Sequence, residues 1–209
     1  MPGIFLTQIN TKNMFANNTT PDTALQLLQV VGINTQDAPA KLQALAATDA
    51  RYLKDLKINV TNVLEAASLQ KKEAYLLALA VAINEKIPAL QYGLEQLALA
   101  AGATDKEIAD VVSCTSLMNA NNVYYRFRHF VNKEVYTSAP AGIRMSIMAN
   151  PVIGKEFFEL VSLVVSALNG CEMCVTSHEE ALLKHGTSEQ RIMDAVRLGA
   201  VIKSLGVLL

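Results

Sequence analysis

Two cysteines and a histidine, Cys171, Cys174 and His178, are close together in the sequence. A run without Pro or Gly follows Gly170, which predicts a helix that begins near Cys171 with Asn169 as its N-cap. At about 100° per residue, the three side chains share one helix face, with His178 one turn beyond Cys174. Cysteines three apart in a helix are close enough for a disulfide, and a helix N-terminus favours thiolate. The spacing therefore predicts a redox-active dithiol.

Glu159 lies in the apolar segment before these residues and is the candidate partner of His178. If the two segments pack as an antiparallel helical hairpin, Glu159 falls within a turn of His178. A carboxylate there would hold the imidazole in one tautomer. Glu159 also shares a narrow polar stripe with Ser162 and Ser166 on an otherwise apolar helix. The alternative is a solvated carboxylate on the only wet stripe, and the spacing leaves both open.

A zinc site is the main alternative chemistry for the cysteines, with Cys171, Cys174, His178 and His185 as ligands. His185 lies about 10 Å of helix beyond His178, and one straight helix cannot arrange four ligands tetrahedrally. We therefore expect no metal. A thioredoxin-like site is disfavoured because no βαβ pattern surrounds the motif. Cys114, among Val and Leu residues, is expected to be a buried structural thiol.

The composition places the chain among globular proteins. Of 209 residues 51% are apolar, which is enough for the core of one domain, and the net charge is −1 with no basic cluster for nucleic acid. No apolar run approaches the roughly 20 residues of a membrane-spanning helix. The N-terminus shows no signal-peptide pattern, so we expect a reducing cytoplasm. A Cys-x-x-Cys pair there is more often redox-active or metal-binding than a static crosslink.

The elements that position these residues are predicted to be helices throughout, because no segment shows sustained two-residue alternation. We divide the chain into an N-terminal arm, residues 1–40, and a helical redox domain, residues 41–209. The arm begins with a polar segment at 1–20 and contains a helix at 22–31. The domain is predicted to contain helices at 40–66 (in two pieces), 71–83, 89–101, 105–117, 121–131, 144–149, 155–168 and 171–184, and a last helix that residues 187–190 open.

A weak internal repeat indicates a duplicated helical unit. Residues 101–112 resemble residues 185–196, at an offset of 84. The same offset aligns Ile87 with Cys171 and Leu90 with Cys174. The first copy is thus predicted to have the helices without the thiols.

Three segments carry a resemblance to a known family: Asn121–Arg126, Gly142–Pro151, and Glu159 followed by the Cys-x2-Cys-x3-His spacing. Together they resemble the alkylhydroperoxidase D (AhpD) family, within the wider carboxymuconolactone-decarboxylase-like superfamily. The resemblance extends from about residue 42 to the C-terminus. It implies an all-α fold of two related halves, usually assembled as a homotrimer or a multiple of it.

The resemblance also implies a role in peroxide defence. The family transfers electrons from a dihydrolipoyl group, with no tightly bound cofactor, to a partner peroxiredoxin (the alkyl hydroperoxide reductase C subunit), and has weak peroxidase activity itself. Met173 stands between the cysteines, where some members carry a histidine. In the cycle expected here Cys174 attacks, Cys171 resolves, His178 is the base and Glu159 orients it.

Two alternative functions remain open at the level of sequence. A carboxymuconolactone-decarboxylase-like lyase shares the fold and needs no dithiol, and a redox-sensing adaptor would use the dithiol without turnover. A homo-oligomer is expected on physical grounds as well, because the apolar helices at 75–83 and 157–168 leave more apolar surface than one core readily covers.

Overall fold

The computed structural model describes residues 22–209, so the predicted polar segment at 1–20 lies outside the described residues. Within that range there are ten α-helices and no strand, which confirms the all-α prediction. The α-helices are α1 Asp22–Val30, α2 Ala40–Ala47, α3 Arg51–Leu64, α4 Lys71–Asn84, α5 Pro88–Ala100, α6 Asp105–Val131, α7 Glu134–Thr137, α8 Lys155–Leu168, α9 Glu172–Lys184 and α10 Glu189–Gly206. Short 3₁₀ turns lie at Thr35–Asp37 and Ser146–Ala149.

The predicted duplication is confirmed by the helix boundaries. Helices α4, α5 and α6 begin at Lys71, Pro88 and Asp105, and each has a counterpart beginning 84 residues later in α8, α9 and α10. Both copies have a left-handed residue in the turn between their first two helices, Lys86 with φ 59° and Gly170 with φ 67°. The sequence repeat thus corresponds to a repeated three-helix unit.

Three of the predicted helices are wrong in extent. The segments 105–117 and 121–131 form one continuous 27-residue helix, α6. The residues between them do not interrupt it because they include no Gly or Pro, and Asn121 and Asn122 are buried on the side of α6 that faces the rest of the protein. The segment predicted as a helix at 144–149 forms only the 3₁₀ turn Ser146–Ala149.

Helices α4 and α8 are the centre of the protein, because both are almost entirely buried. Each forms a hairpin with the helix that follows it, α5 or α9. The third helix of each unit packs across the other unit: α6 against α8 and α9, and α10 against α4 and α3. The helix that carries the cysteines is therefore covered by a helix from the other copy.

Helix α1 of the predicted arm packs against α3, with Ala24, Leu27 and Leu28 fully buried. The residues that follow α1 cross α5 where Gly32 and Gly93 come close together. A Cβ on Gly93 would lie 2.3 Å from the carbonyl oxygen of Val31, so only glycine allows this backbone approach. This helix thus docks on the main body, whereas the division of the chain at residue 40 stays a prediction.

An arginine of α10 links the central helices of the two copies. The Arg191 guanidinium donates hydrogen bonds to both carboxylate oxygens of Glu73 on α4, at 2.8 and 2.9 Å. It also donates to both oxygens of Glu156 on α8, at 3.0 and 3.1 Å. Burial alone would raise the pKa of Glu156, but the hydrogen bonds from Arg191 and Thr187 outweigh it and the pKa is lowered.

Among the helices of residues 22–209, none is both long enough and apolar enough to cross a membrane.

Candidate active site

The cysteine pair lies at the junction of α8 and α9. Helix α9 begins at Glu172, and Cys171 is its N-cap, with its backbone N–H donating to the carbonyl of Ser166 at 3.1 Å. The predicted role of Asn169 as N-cap is wrong, because Asn169 is the C-cap of α8 and its N–H bonds back to Val165. Gly170, at φ 67°, reverses the chain between the two helices. The turn thus delivers Cys171 directly to a helix N-terminus.

Cys171 and Cys174 are joined in a disulfide, with their Cα atoms 5.3 Å apart. The two cysteines differ in their exposure to solvent. Cys171 is fully buried, whereas Cys174 is 6% exposed and lines a cavity. A reagent from solution therefore meets Cys174 first, and Cys171 is left as the internal partner.

The predicted pairing of Glu159 with His178 is present. His178 Nδ1 lies 2.6 Å from Glu159 Oε2, and both side chains are mostly buried. When the Glu159 carboxylate is ionised it only accepts hydrogen bonds, so in that state Nδ1 is the donor of this contact and Nε2 is left free to exchange a proton. His178 follows Cys174 by four residues on α9, and both line the same cavity.

The solvated-stripe alternative for Glu159 is wrong. Ser162 and Ser166, on the same stripe of α8, are fully buried. Ser166 Oγ accepts a hydrogen bond from Asn122 at 2.8 Å, and Ser162 Oγ lies 3.4 Å from the Cys114 sulfur. The polar stripe faces α6 across the interior, so Glu159 belongs to an internal polar layer.

The cavity beside Cys174 has a volume of about 280 Å³. Its lining comes from three parts of the chain: Asn121 and Tyr125 of α6, Met145 and Met148 near the 3₁₀ turn, and Met173, Cys174, Ser177 and His178 of α9. Three of the eight residues are methionines, whose flexible thioethers suit an apolar ligand of irregular shape. The site thus combines a thiol–imidazole face with an apolar wall.

A network of side-chain amides supports the turn before Cys171. Asn169 Nδ2 donates to Asn122 Oδ1 at 2.9 Å, and Asn169 Oδ1 accepts from Asn84 at 3.1 Å. The Arg126 guanidinium donates to the Asn169 carbonyl at 2.5 Å. A cation at the C-terminus of α8 is favourable for the helix dipole, and the network fixes the turn in place.

The remaining candidate ligands are not brought together with the dithiol. Among the side chains that the structure describes, no group of three or more His, Cys, Asp or Glu is arranged to hold a metal ion. His185 is exposed at the C-cap of α9. Cys114 is buried as predicted, and burial raises the pKa of its thiol to about 12. A thiol with that pKa is unreactive at neutral pH.

Asn121, Tyr125, Met145, Met148 and Ser177 are not among the predicted site residues. Four of them lie in Asn121–Arg126 and Gly142–Pro151, two of the segments that carry the family resemblance. That resemblance is the available signal, because helical spacing within one segment does not show which distant helix covers the dithiol.

Comparison with known proteins defines the class of this helical fold. The sequence profile of the carboxymuconolactone decarboxylase family matches residues 135–206, which include both cysteines of the disulfide and His178.

Several relatives resemble this chain over most of their length. An alkyl hydroperoxide reductase AhpD from an Anaeromyxobacter species is 40% identical over 156 residues, which cover 75% of this chain and 84% of that protein. The protein of that name from Streptomyces coelicolor is 36% identical, over 80% of this chain and 94% of its own. The one from Rhodopseudomonas palustris is 37% identical, over 79% of this chain and 91% of its own length. The chain therefore belongs to the AhpD family.

Proposed function

We propose that this protein is a lipoyl-dependent thiol–disulfide oxidoreductase of peroxide defence, which reduces alkyl hydroperoxides weakly by itself and also reduces a partner peroxiredoxin. The observation that carries the proposal is the Cys171–Cys174 disulfide at a helix N-terminus, next to the Glu159–His178 pair and open to an apolar cavity through Cys174. The names of the relatives, alkyl hydroperoxide reductase AhpD, support the same activity.

The oxidative half of the cycle consumes one hydroperoxide. The Cys174 thiolate attacks the terminal oxygen, forming an S–O bond as the O–O bond breaks, and His178 in its protonated form gives a proton to the departing alkoxide. The Cys171 thiol then displaces water from the Cys174 sulfenic acid and closes the disulfide. Burial of Cys171 supports this order, since it restricts the peroxide to Cys174.

The reductive half of the cycle uses a dihydrolipoyl group as electron donor. One of its thiolates attacks Cys174, the Cys171 thiolate leaves, and the second lipoyl thiol releases the reduced enzyme as lipoyl disulfide forms. Two electrons and two protons pass to the protein in this step. Reduction of the peroxiredoxin follows the same exchange in the opposite direction, with Cys174 attacking the disulfide of the partner. Because the cycle requires reduced donors, we place it in the cytoplasm.

We also propose a homo-oligomer, a trimer or a multiple of it. The C-terminal part of α6 and the short α7 expose five large apolar side chains: Val123, Phe127, Phe130, Val135 and Tyr136. Such a patch is typical of an interface between subunits. Light scattering at micromolar concentration tests this: we expect a trimer or larger and a smaller species for Phe130→Glu, whereas a monomeric wild type contradicts the assembly.

The test of the activity is peroxide-dependent oxidation of NADH in the presence of lipoamide and lipoamide dehydrogenase, with and without a peroxiredoxin. We expect slow turnover of cumene hydroperoxide alone, faster turnover with the peroxiredoxin, and none with Cys174→Ser. A lyase would act on its lactone substrate regardless of Cys174→Ser. An adaptor would show no turnover, only partner binding that depends on the redox state. Either result overturns the proposal.

A further inference from the structure

One polar atom in the described part of the chain stands apart. Among the side chains that the structure describes, Asn121 Oδ1 is the only buried oxygen or nitrogen that has no hydrogen-bond partner. Asn121 itself is only 5% exposed. An unsatisfied buried acceptor destabilises a folded protein, so such atoms are rare and often belong to binding sites.

The neighbouring residue on α6 shows the contrast. Asn122 uses both ends of its amide, since Nδ2 donates to Ser166 Oγ and Oδ1 accepts from Asn169 Nδ2. Asn121 uses only one end: its Nδ2 donates to the Met145 sulfur at 3.3 Å. A thioether offers lone pairs and no proton, so this contact orients the amide with Nδ2 toward Met145. The oxygen is thereby left as an unused acceptor.

The location of Asn121 indicates what would satisfy it. Asn121 lines the same 280 Å³ cavity as Cys174 and His178. The wall of this cavity is largely apolar, with three methionines and Tyr125. A ligand that fills this cavity and satisfies the acceptor must therefore offer an O–H or N–H donor to Asn121, with an apolar body against the methionines. An organic hydroperoxide has this combination, because its terminal O–H is joined through the second peroxide oxygen to an alkyl or aryl group.

We propose that Asn121 is a substrate-binding residue whose Oδ1 accepts the hydrogen bond of the hydroperoxide O–H, holding the terminal oxygen for attack by Cys174. This inference rests on the proposed peroxidase function. In the step, the Cys174 thiolate bonds to the terminal oxygen, the O–O bond breaks, and the alkoxide takes its proton from His178. Asn121 exchanges no atoms or electrons and acts by orientation alone.

The test compares two reagents that attack the same sulfur. In a Cys171→Ser background, only Cys174 of the dithiol reacts, and loss of its thiol is followed with cumene hydroperoxide and with methyl methanethiosulfonate. The second reagent has no O–H or N–H, so its rate reports the nucleophilicity and access of Cys174 without the proposed hydrogen bond. A merely structural change at Asn121 alters both rates together.

With Asn121→Leu, we expect the hydroperoxide rate to fall about five- to tenfold, the range of one net hydrogen bond, and the thiosulfonate rate to stay within about twofold. Asn121→Ala is the second variant should the leucine disturb folding, with the same expected change in the ratio of rates. The matched control is Asn59→Leu, at an exposed position of α3 outside the cavity, which should leave the ratio unchanged.

The outcomes separate this inference from the proposed function. If the wild-type dithiol reacts with the thiosulfonate but not with the hydroperoxide, the peroxidase function and the role of Asn121 are both wrong. If the wild type reduces hydroperoxide and the Asn121 variants keep the wild-type ratio of rates, only the role of Asn121 is wrong. A parallel fall of both rates in both variants likewise overturns the role of Asn121.

Discussion

The two copies of the three-helix unit share their helix boundaries and differ in what their second helices carry. Where α9 has Cys171, Cys174 and His178, the corresponding residues of α5 are Ile87, Leu90 and Leu94. Leu90 and Leu94 are fully buried. The first copy thus fills with apolar side chains the same positions that the second copy uses for redox chemistry.

The first helices of the two copies differ in the same manner. Glu159, Ser162 and Ser166 of α8 correspond to Tyr75, Ala78 and Ala82 of α4. The small residues of α4 leave no internal polar group, whereas the serines of α8 hydrogen-bond or contact side chains of α6. A few substitutions on an unchanged helical frame therefore separate a structural copy from a redox copy.

The comparison extends to the ion pairs that support each copy. Lys72 and Glu107 pair at 2.8 Å in the first copy, and their counterparts Glu156 and Arg191 pair at 3.0 Å with the charges exchanged. Arg191 gains a second carboxylate, Glu73, from the first copy. The second copy is thus tied to the first through Arg191, whose partner Glu156 lies on α8, the helix that bears Glu159.

The largest effect is expected from giving the second copy the residue of the first at the attacking position. Cys174→Leu, which reproduces Leu90, should abolish turnover completely because no thiol then faces the cavity. Peroxide-dependent NADH oxidation measures this, and circular dichroism should show unchanged helix content. Residual turnover in this variant would show that Cys174 is not the attacking residue.

His178→Leu, which reproduces Leu94, should slow the reaction of the reduced enzyme with hydroperoxide by about 10²–10⁴-fold, as expected for loss of a positioned acid or base. Glu159→Gln should slow it less, because Glu159 acts only through the imidazole at 2.6 Å. The pH profile of Cys174 alkylation in each variant tests the order. The relay is wrong if Glu159→Gln leaves both this profile and the turnover unchanged.

The ion pairs should differ in their contribution to stability. Arg191→Met leaves two partly buried carboxylates unpaired and should lower the free energy of unfolding by about 3 kcal/mol, against about 1 kcal/mol for the more exposed pair in Lys72→Met. Because the pKa of Glu156 is lowered from 4.5 in the folded protein, its stabilisation is fully present above pH 4.5 and is lost as the pH falls through the lowered pKa. Urea unfolding at pH 7 and pH 3.5 measures both variants. Equal losses for the two variants at pH 7 would contradict the asymmetry.

The smallest effect is expected at the third cysteine. Cys114→Ser should leave the turnover rate unchanged, because the thiol is buried against Ser162 and its pKa is raised to about 12. The same coupled assay measures this. A large loss of turnover would place Cys114 in the redox cycle.

Much of this arrangement is predictable from local sequence. The positions of Cys171, Cys174 and His178 on one helix face follow from helical spacing. The position of Glu159 within a turn of His178 follows from the register of a tight helical hairpin. The offset of 84 residues predicts the duplicated unit, because the breaks between helices fall at equivalent positions in the two copies.

The rest depends on contacts between distant segments. Asn169 has the sequence context of an N-cap, yet its side chain is held by Asn84 and Asn122, and it ends α8 instead. Asn121 reaches the cavity because α6 crosses onto the other copy, and Met145 reaches it from the loop before the 3₁₀ turn. No pattern within one segment indicates that crossing, so the cavity wall could not be derived from spacing.

The central claim, that the second copy is a dithiol site which cycles, is tested most directly by mass spectrometry of the oxidised protein before and after thiol treatment. We predict a Cys171–Cys174 disulfide, no bound zinc, and faster reduction by dihydrolipoamide than by a monothiol at equal thiol concentration. Two free thiols after oxidation, or stoichiometric zinc on the cysteines, would contradict the account.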